Sequence, residues 1–423
     1  MPSNLPGKIL KAAKTLIGKQ PAKKKADKYH FNLYKRYPIT LVKGKGCKVW
    51  DDERNEYIDA LAGIAVNSLG HCHPRIVKAI QKQAGKLMHV SNFYYNEPQS
   101  DLAEKLVNVS GLDRVFFCNS GAEAVEGAIK LARRYSNIRG KSGSIISMDN
   151  SFHGRTLGTI AMGKDKYRNG FDPIPSGFER VPFNNVEALE KRVSEHTVAV
   201  ILETIQGEGG IVPVTKEYLK TARHLCDKYE IPLILDEVQC GIARTGKMFA
   251  FQHYDIKPDI VASAKALGSG FPIGAVLAKE NFASAFEYGN HGTTYGGNPL
   301  ACAASFETLK IIEEEDICEM ARVRGEYLMT RLRDLSNNWP AIRDVRGMGL
   351  MIGVELSFAG ADVVVEMMKG GVLSNCASDV VIRLVPPLII SKEEIDTVVD
   401  VLVASIKEVE KSERAKGKRQ IIS

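Results

Sequence analysis

Through the middle of the chain, short apolar runs alternate with longer stretches in which apolar residues recur every three or four positions. The runs are Val115-Phe-Phe-Cys118, Ser144–Met148, Thr197–Leu202, Ile231–Leu235 and Ile260–Ala264. Strands covered on both faces of a sheet read as unbroken runs of this kind. Between them the spacing becomes helical. Ser120, with Glu123 three positions on, is a capping-box signature ahead of Gly121–Ala132. After Thr215, the residues Leu219, Ala222, Leu225, Cys226 and Tyr229 mark the inner face of a helix that feeds the run at Ile231. Strand–helix–strand order from about residue 115 to 280 predicts a mostly parallel α/β sheet.

The flanks read differently. Ile39–Val42, Gly46–Trp50 and Tyr57–Ile58 are short strand patterns separated by Gly, Asp and Asn turns, a small antiparallel meander. Pro74 is placed to open a helix with Ile76, Val77, Ile80 and Ala84 on one face. Helices are predicted at Leu300–Ile312, Arg322–Leu335 and Lys392–Val409, and strands within Val345–Glu355 and Val380–Pro387. These strands read as part of a second, smaller α+β domain.

Residues 1–28 fit neither pattern. Leu5, Ile9, Ala12, Ala13, Leu16 and Ile17 are spaced for a short amphipathic helix, which Pro21 and the neighbouring lysines end. This leader holds eight lysines and one aspartate, equal to the whole formal charge of +7. The rest of the chain is therefore neutral. That excludes a basic nucleic-acid-binding globule and leaves the leader as a disordered, solvated extension. It contains no arginine, unlike an organelle transit peptide. The 423 residues suffice for a large core and more than one domain. No apolar run approaches the roughly 18 residues of a spanning helix. The eight cysteines are scattered, as in a cytoplasmic protein with reduced thiols. His71-Cys72-His73 has no further ligand pair in the sequence, and no metal site is expected.

Several residues carry candidate chemistry. The run at Ile231 ends in Asp236, and the run at Ile260 leads to Lys265. Ligands of open α/β sheets lie outside the carboxyl ends of the strands, so both side chains can reach one crevice. An aspartate and a lysine there suit a pyridinium nitrogen and a Schiff base. On spacing alone they are equally a strand-end carboxylate and a surface lysine. Gly121 and Ala122 open a capped helix, either a phosphate seat or an ordinary helix start. Phe152-His153-Gly-Arg155 joins an aromatic platform to a guanidinium fork, and core packing with a surface ion pair explains them as well. Thr293 and Thr294, within glycine-rich backbone, offer hydroxyls to oxyanions.

Taken in order, Ser120-Gly-Ala-Glu-Ala124, Phe152–Arg155, Glu203–Gly210, Asp236-Glu-Val-Gln239, Ala264-Lys265, Gly292-Thr-Thr-Tyr-Gly-Gly-Asn-Pro299 and Arg383 before Pro386-Pro387 resemble the class III (ω-amino) pyridoxal-phosphate-dependent aminotransferases. The resemblance covers about residues 29–410. It implies fold type I: a large domain, 71–310, with a mostly parallel seven-stranded sheet, and a small α+β domain built from 29–70 and 311–423. It implies Lys265 as the attachment point of pyridoxal 5'-phosphate and as proton carrier, with Asp236 against the ring nitrogen. Phe152 and Val238 would sandwich the ring and Gln239 approach its phenolic oxygen. Gly121 and Ala122 would hold the phosphate, and Thr294 would reach the phosphate held by the partner subunit, making a homodimer with a shared active site. Arg155 would take a substrate carboxylate, with Thr293 near the substrate. Glu208 and Arg383 would form an ion pair that opens to admit 2-oxoglutarate.

Within the class, Gly63–Pro74 and Phe93–Gln99 are most similar to acetylornithine aminotransferases. The tyrosine that ornithine δ-aminotransferases carry near Gly63 or Ile64 is absent. Val125 departs from the usual asparagine of acetylornithine enzymes and matches many 4-aminobutyrate enzymes, and Ala266 and Ser269 replace glycines. The implied reaction moves the ω-amino group of N-acetylornithine, or of N-succinyl-diaminopimelate, to 2-oxoglutarate, giving the semialdehyde and glutamate, in arginine biosynthesis. Transamination of 4-aminobutyrate or ornithine is the alternative. A racemase, decarboxylase or aminomutase on the same scaffold is the alternative from another class.

Overall fold

The computed structural model describes residues 21–415. The amphipathic pattern at Leu5–Ile17 lies outside the described residues. All five apolar runs form strands. With Phe178–Val181 and Gly274–Ala278 they make a seven-stranded sheet, ordered 114–118, 274–278, 260–263, 233–236, 197–203, 144–148, 178–181. Six strands point the same way, and Gly274–Ala278 alone is antiparallel to both neighbours.

Successive residues of the central strands serve opposite faces. Ile145, Ile201, Ile234 and Ala262 pack with Ala124, Val125, Ala128, Leu131 and Ala132 of helix Gly121–Ile138. Ile146, Val200, Leu202, Leu233, Leu235 and Val261 share the other core with Leu219, Ala222, Leu225 and Cys226 of helix Lys216–Lys228. Two covered faces explain the unbroken runs. Each fully buried side chain of this kind contributes about 1.5–3 kcal/mol. The shared strand direction also sets Ser120, Phe152, Glu203, Asp236 and Lys265 on one edge of the sheet, at or just past the strand ends.

The chain ends meet in a second sheet. Leu41–Lys45, Lys48–Asp51 and Glu56–Asp59 form the expected antiparallel meander, and Val372–Leu373 adds to the last of them in parallel. The stretch Val345–Glu355 belongs to a hairpin, Ile342–Met348 with Met351–Leu356, that turns through Gly349 at φ 54°. Val381–Leu384 lies beside it.

Some expectations are corrected. The reading of residues 1–28 as disordered does not extend to their last part, because Pro21–Tyr29 is a helix. Proline suits a first helical position, where an N–H would have no intrahelical partner. Lys23 and Asp27 pair one turn apart. On helix Pro74–Ala84 the inward residues are Ile76, Ile80 and Gln83, while Val77 and Ala84 are exposed. The last helix runs Lys392–Ala415, beyond the expected Val409. No helix among the described residues is long and apolar enough to cross a membrane.

Candidate active site

The carboxyl edge of the large sheet opens onto a cavity of about 430 Å³. Gly121, Ala122, Phe152, Arg155, Asp236, Val238, Gln239 and Lys265 all line it. Residues spread over 145 positions of sequence are thus brought to one wall by the parallel strand order.

Asp236 closes its strand and is buried. Its Oδ1 accepts the Val238 amide at 3.0 Å and its Oδ2 lies 2.7 Å from His153 Nδ1. Glu237, one position on, turns away from the cavity. It accepts Thr204 Oγ1 at 2.7 Å and the Ala250 and Phe251 amides at 2.7 and 2.9 Å, so it fastens the turn at Ala250–His253. Strand alternation therefore separates two adjacent carboxylates into a cavity group and a structural one.

Lys265 follows Ala264 at φ 46°, a left-handed conformation that costs a non-glycine residue of order 1–3 kcal/mol. It is fully buried. Burial first, then the Arg383 charge, lower its pKa against the opposing charges of Asp236, Glu208 and Glu203. The neutral amine, which is both nucleophile and base, is thereby favoured. Ser269, four positions on, is also left-handed at φ 43°, which fits the glycine it replaces. Its hydroxyl accepts the Leu69 amide at 3.2 Å and ties this turn to a loop 200 residues away.

Helix Gly121–Ile138 is capped as expected: Ser120 Oγ accepts the Glu123 amide at 3.2 Å. The return bond reaches one residue further back, from the Asn119 amide to Glu123 at 2.7 Å. The first amides of such a helix lack intrahelical acceptors and carry the positive end of its dipole. A Cβ on Gly121 would come within 2.7 Å of Val238 Cγ1, so only glycine lets the helix start close against that side chain.

Arg155 lies over the Tyr167 ring at 4.0 Å and the Phe152 ring at 5.4 Å, and it has no carboxylate partner among the described residues. Arg383, 1% exposed, is masked by Glu208 at 2.5 Å, with Gln239 Oε1 3.3 Å from the same Nη1 and Asn375 Oδ1 3.0 Å from Nε. Burial opposes ionisation of Glu208, but the Arg383 charge and hydrogen bond, helped by Lys265 and Lys164, hold its pKa below the usual range. Thr293 sits at the rim, its hydroxyl accepting Asn119 Nδ2 at 3.1 Å. Thr294 is exposed and lies outside the cavity of its own chain.

Two groups had no role assigned from sequence. His153 is buried, and its Nε2 has no hydrogen-bond partner among the described residues. Burial pushes its pKa down, and the bond to Asp236 with the charges of Asp236 and Glu203 outweighs this, so the net direction is upward. Glu203 is cross-strand neighbour to Asp236 and fully buried. Its Oε1 accepts the Phe152 amide and its Oε2 the Gly207 amide, each at 3.0 Å. Burial, reinforced by Asp236, raises its pKa to about 7 despite His153 and these amides. The signal for Glu203 was present: its strand, like that of Asp236, is an apolar run ended by a carboxylate.

The lining fits pyridoxal phosphate on its own chemistry. It combines a free helix start for an anion, a buried carboxylate for a ring N–H, Phe152 and Val238 as apolar faces, and a lysine amine whose pKa is lowered.

The family model described as aminotransferase class-III matches residues 31–406. This chain belongs to the class III aminotransferases, and its architecture is fold type I. Among its relatives is an acetylornithine aminotransferase of Methanocaldococcus jannaschii, 54% identical over 387 residues that cover 91% of this chain and 97% of the relative. A solved ornithine aminotransferase of Toxoplasma gondii, described as having partial occupancy of PLP at its active site, superposes with a TM-score of 0.89 at 33% identity, covering 98% of this chain and 100% of that one. The solved N-acetylornithine aminotransferase of Stenotrophomonas maltophilia gives 0.80 at 37% identity, covering 92% and 99%.

Proposed function

We propose that this chain is a pyridoxal 5'-phosphate-dependent aminotransferase that moves the ω-amino group of N-acetylornithine, or of a related acylated diamino acid such as N-succinyl-diaminopimelate, to 2-oxoglutarate. The observation that carries this reading is a pair of unlike guanidiniums: Arg155 lines the cavity, and Arg383 lies behind Gln239, which lines it. Arg155 has no acidic partner among the described residues, whereas Arg383 is covered by Glu208. N-acetylornithine brings one carboxylate, suited to Arg155. The acceptor brings two, and the second suits Arg383 once Glu208 leaves. A single-substrate racemase or decarboxylase has no use for such a pair.

When bound, pyridoxal phosphate supplies an electron sink for the carbanion formed beside the reacting nitrogen. Gly121 and Ala122 hold its phosphate, Phe152 and Val238 its ring faces, and Gln239 its phenolic oxygen. Asp236, oriented by the Val238 amide and His153, keeps a proton on the ring nitrogen. Lys265, favoured as a free amine, attaches the cofactor and carries the proton from the donor carbon. Thr293 borders the substrate. Lys265→Ala is expected to abolish turnover while the protein still binds cofactor noncovalently.

Ornithine as donor is the second reading, supported by the Toxoplasma gondii neighbour. Against it, Gly63 and Ile64 offer no hydroxyl or charge to a free α-ammonium. The match of Val125 to 4-aminobutyrate enzymes carries little weight, since Val125 is fully buried in the core and does not line the cavity.

A homodimer completes the site in this reading, with Thr294 reaching the partner's phosphate. Its support is an exposed apolar segment, Met88 and Phe93-Tyr94-Tyr95, beside the Thr294 loop. Asn92 Nδ2 donates to Thr293 O at 3.2 Å and Gly296 O at 3.0 Å, and the His89 and Tyr295 rings lie 5.1 Å apart. The eight unpaired cysteines accord with a cytoplasmic setting. The sheet shared by Glu56–Asp59 and Val372–Leu373 supports division into a large unit at 71–310 and a small one from both chain ends.

A further inference from the structure

A cation without a carboxylate stands behind the Glu208–Arg383 pair. Lys164 Nζ donates to the backbone carbonyl of Glu208 at 2.9 Å and to Ser378 Oγ at 3.3 Å, and makes no ion pair among the described residues. Ser378 Oγ donates to the same carbonyl at 3.0 Å. Burial, then Lys166, lowers the Lys164 pKa against the charges of Glu208, Asp379 and Glu203.

The main chain around Glu208 is held on every side. Lys164 and Ser378 bind its carbonyl, Glu203 takes the Gly207 amide at 3.0 Å, and Arg346 Nε donates to Gly210 O at 3.0 Å. Freeing Arg383 by moving the loop would break four hydrogen bonds. Rotating the Glu208 side chain breaks only its contact with Arg383. A carboxylate that rotates away within a largely buried site needs a new cation, because an unpaired buried charge is costly. Lys265 is committed to the cofactor in the two-substrate reading. Lys164 already acts on the Glu208 carboxylate through its charge.

We propose that Lys164 is the second seat of the Glu208 carboxylate: when a dicarboxylate takes Arg383, Glu208 rotates on its fixed main chain to pair with Lys164. Charge is then balanced in both positions, Glu208 with Arg383 before, and dicarboxylate with Arg383 plus Glu208 with Lys164 after. Lys164 is a positioning residue that lowers the cost of opening the pair. This inference rests on the two-substrate reading above.

The test uses holoenzyme carrying Lys164→Met or Lys164→Arg, each also combined with Glu208→Gln. Calorimetric titration with glutarate, an unreactive dicarboxylate, reads opening directly, and single-turnover reactions with donor alone or 2-oxoglutarate alone read the two halves. Lys164→Met is expected to weaken glutarate about tenfold or more and to raise the 2-oxoglutarate requirement alike, with the donor half within about twofold. Lys164→Arg restores most of the loss, and in the Glu208→Gln background Lys164→Met adds nothing. Unchanged glutarate affinity in Lys164→Met, an equal loss in both halves, or the same loss with Glu208→Gln overturns the proposal. Failure of the wild type to transfer amino groups overturns the functional reading instead, and the glutarate titration still decides Lys164.

Discussion

At the scale of single residues, the catalytic assignment rests on how the fold changes ordinary side chains. In the proposed reading Lys265 serves as base, a role favoured by the desolvation and the Arg383 charge that lower its pKa. Borohydride reduction of the holoenzyme, followed by peptide mass analysis, is expected to place a pyridoxyl mass on the Lys265 peptide and nowhere else. Lys265→Ala should show none. Glu203 gives a pH test. Its carboxyl is raised from the usual 4.5 to about 7, so the folded state holds that proton more tightly. The stabilisation is complete below about pH 4.5 and is lost as pH rises to about 7, by about 3 kcal/mol at most. The stability of the wild type minus that of Glu203→Gln should therefore fall across this interval and level off above about pH 8. A difference flat with pH would contradict it. Asp236 and Lys265 were legible as strand-end groups. The bond from His153 to Asp236 and the shifted Glu203 were not, because both depend on which strands are neighbours, and residue spacing along the chain does not report that.

At the scale of elements, the strand ends are fixed by groups outside the cavity. Buried Asp259 binds Arg223 and Lys279 at 2.7 Å each and the Leu233 amide at 2.8 Å, joining three central strands. Asp259→Ala leaves two cations without this partner and should cost about 3–5 kcal/mol in chemical denaturation. At the helix start, Gly121→Ala sets a methyl against stiff, β-branched Val238. Overpacking of about 1–3 kcal/mol predicts a fall of roughly tenfold or more in pyridoxal phosphate affinity, read by absorbance titration. The apolar runs announced their strands because both faces are covered. Phe178–Val181 escaped notice: it is an edge strand, and Glu179 and Arg180 break its apolar character. Ala62–Ala65 carries no periodic pattern in the sequence. All four residues are left-handed, with φ of 50°, 65°, 66° and 60°, and Val66 just beyond lines the cavity. Three of the four carry side chains that disfavour such φ, so local propensity argues against the observed turn.

At the scale of the molecule, the order of the motifs made the family legible, while assembly depends on surfaces. The aromatic segment Phe93–Tyr95 and the Thr294 loop are tied together and exposed together. Sedimentation is expected to give twice the mass of one chain. Tyr95→Glu should shift the population towards monomer and weaken cofactor binding, because Thr294 no longer meets the second site. A monomeric wild type with full cofactor affinity would remove the shared site. The basic leader supplies none of the residues given a role in the proposed reaction, so removal of residues 1–20 is expected to leave turnover within about twofold. Donor choice is read most directly from steady-state kcat/KM for N-acetylornithine, ornithine and 4-aminobutyrate, each with 2-oxoglutarate. N-acetylornithine is predicted to lead by about tenfold or more. If it is the poorest of the three by a wide margin, the donor assignment is wrong.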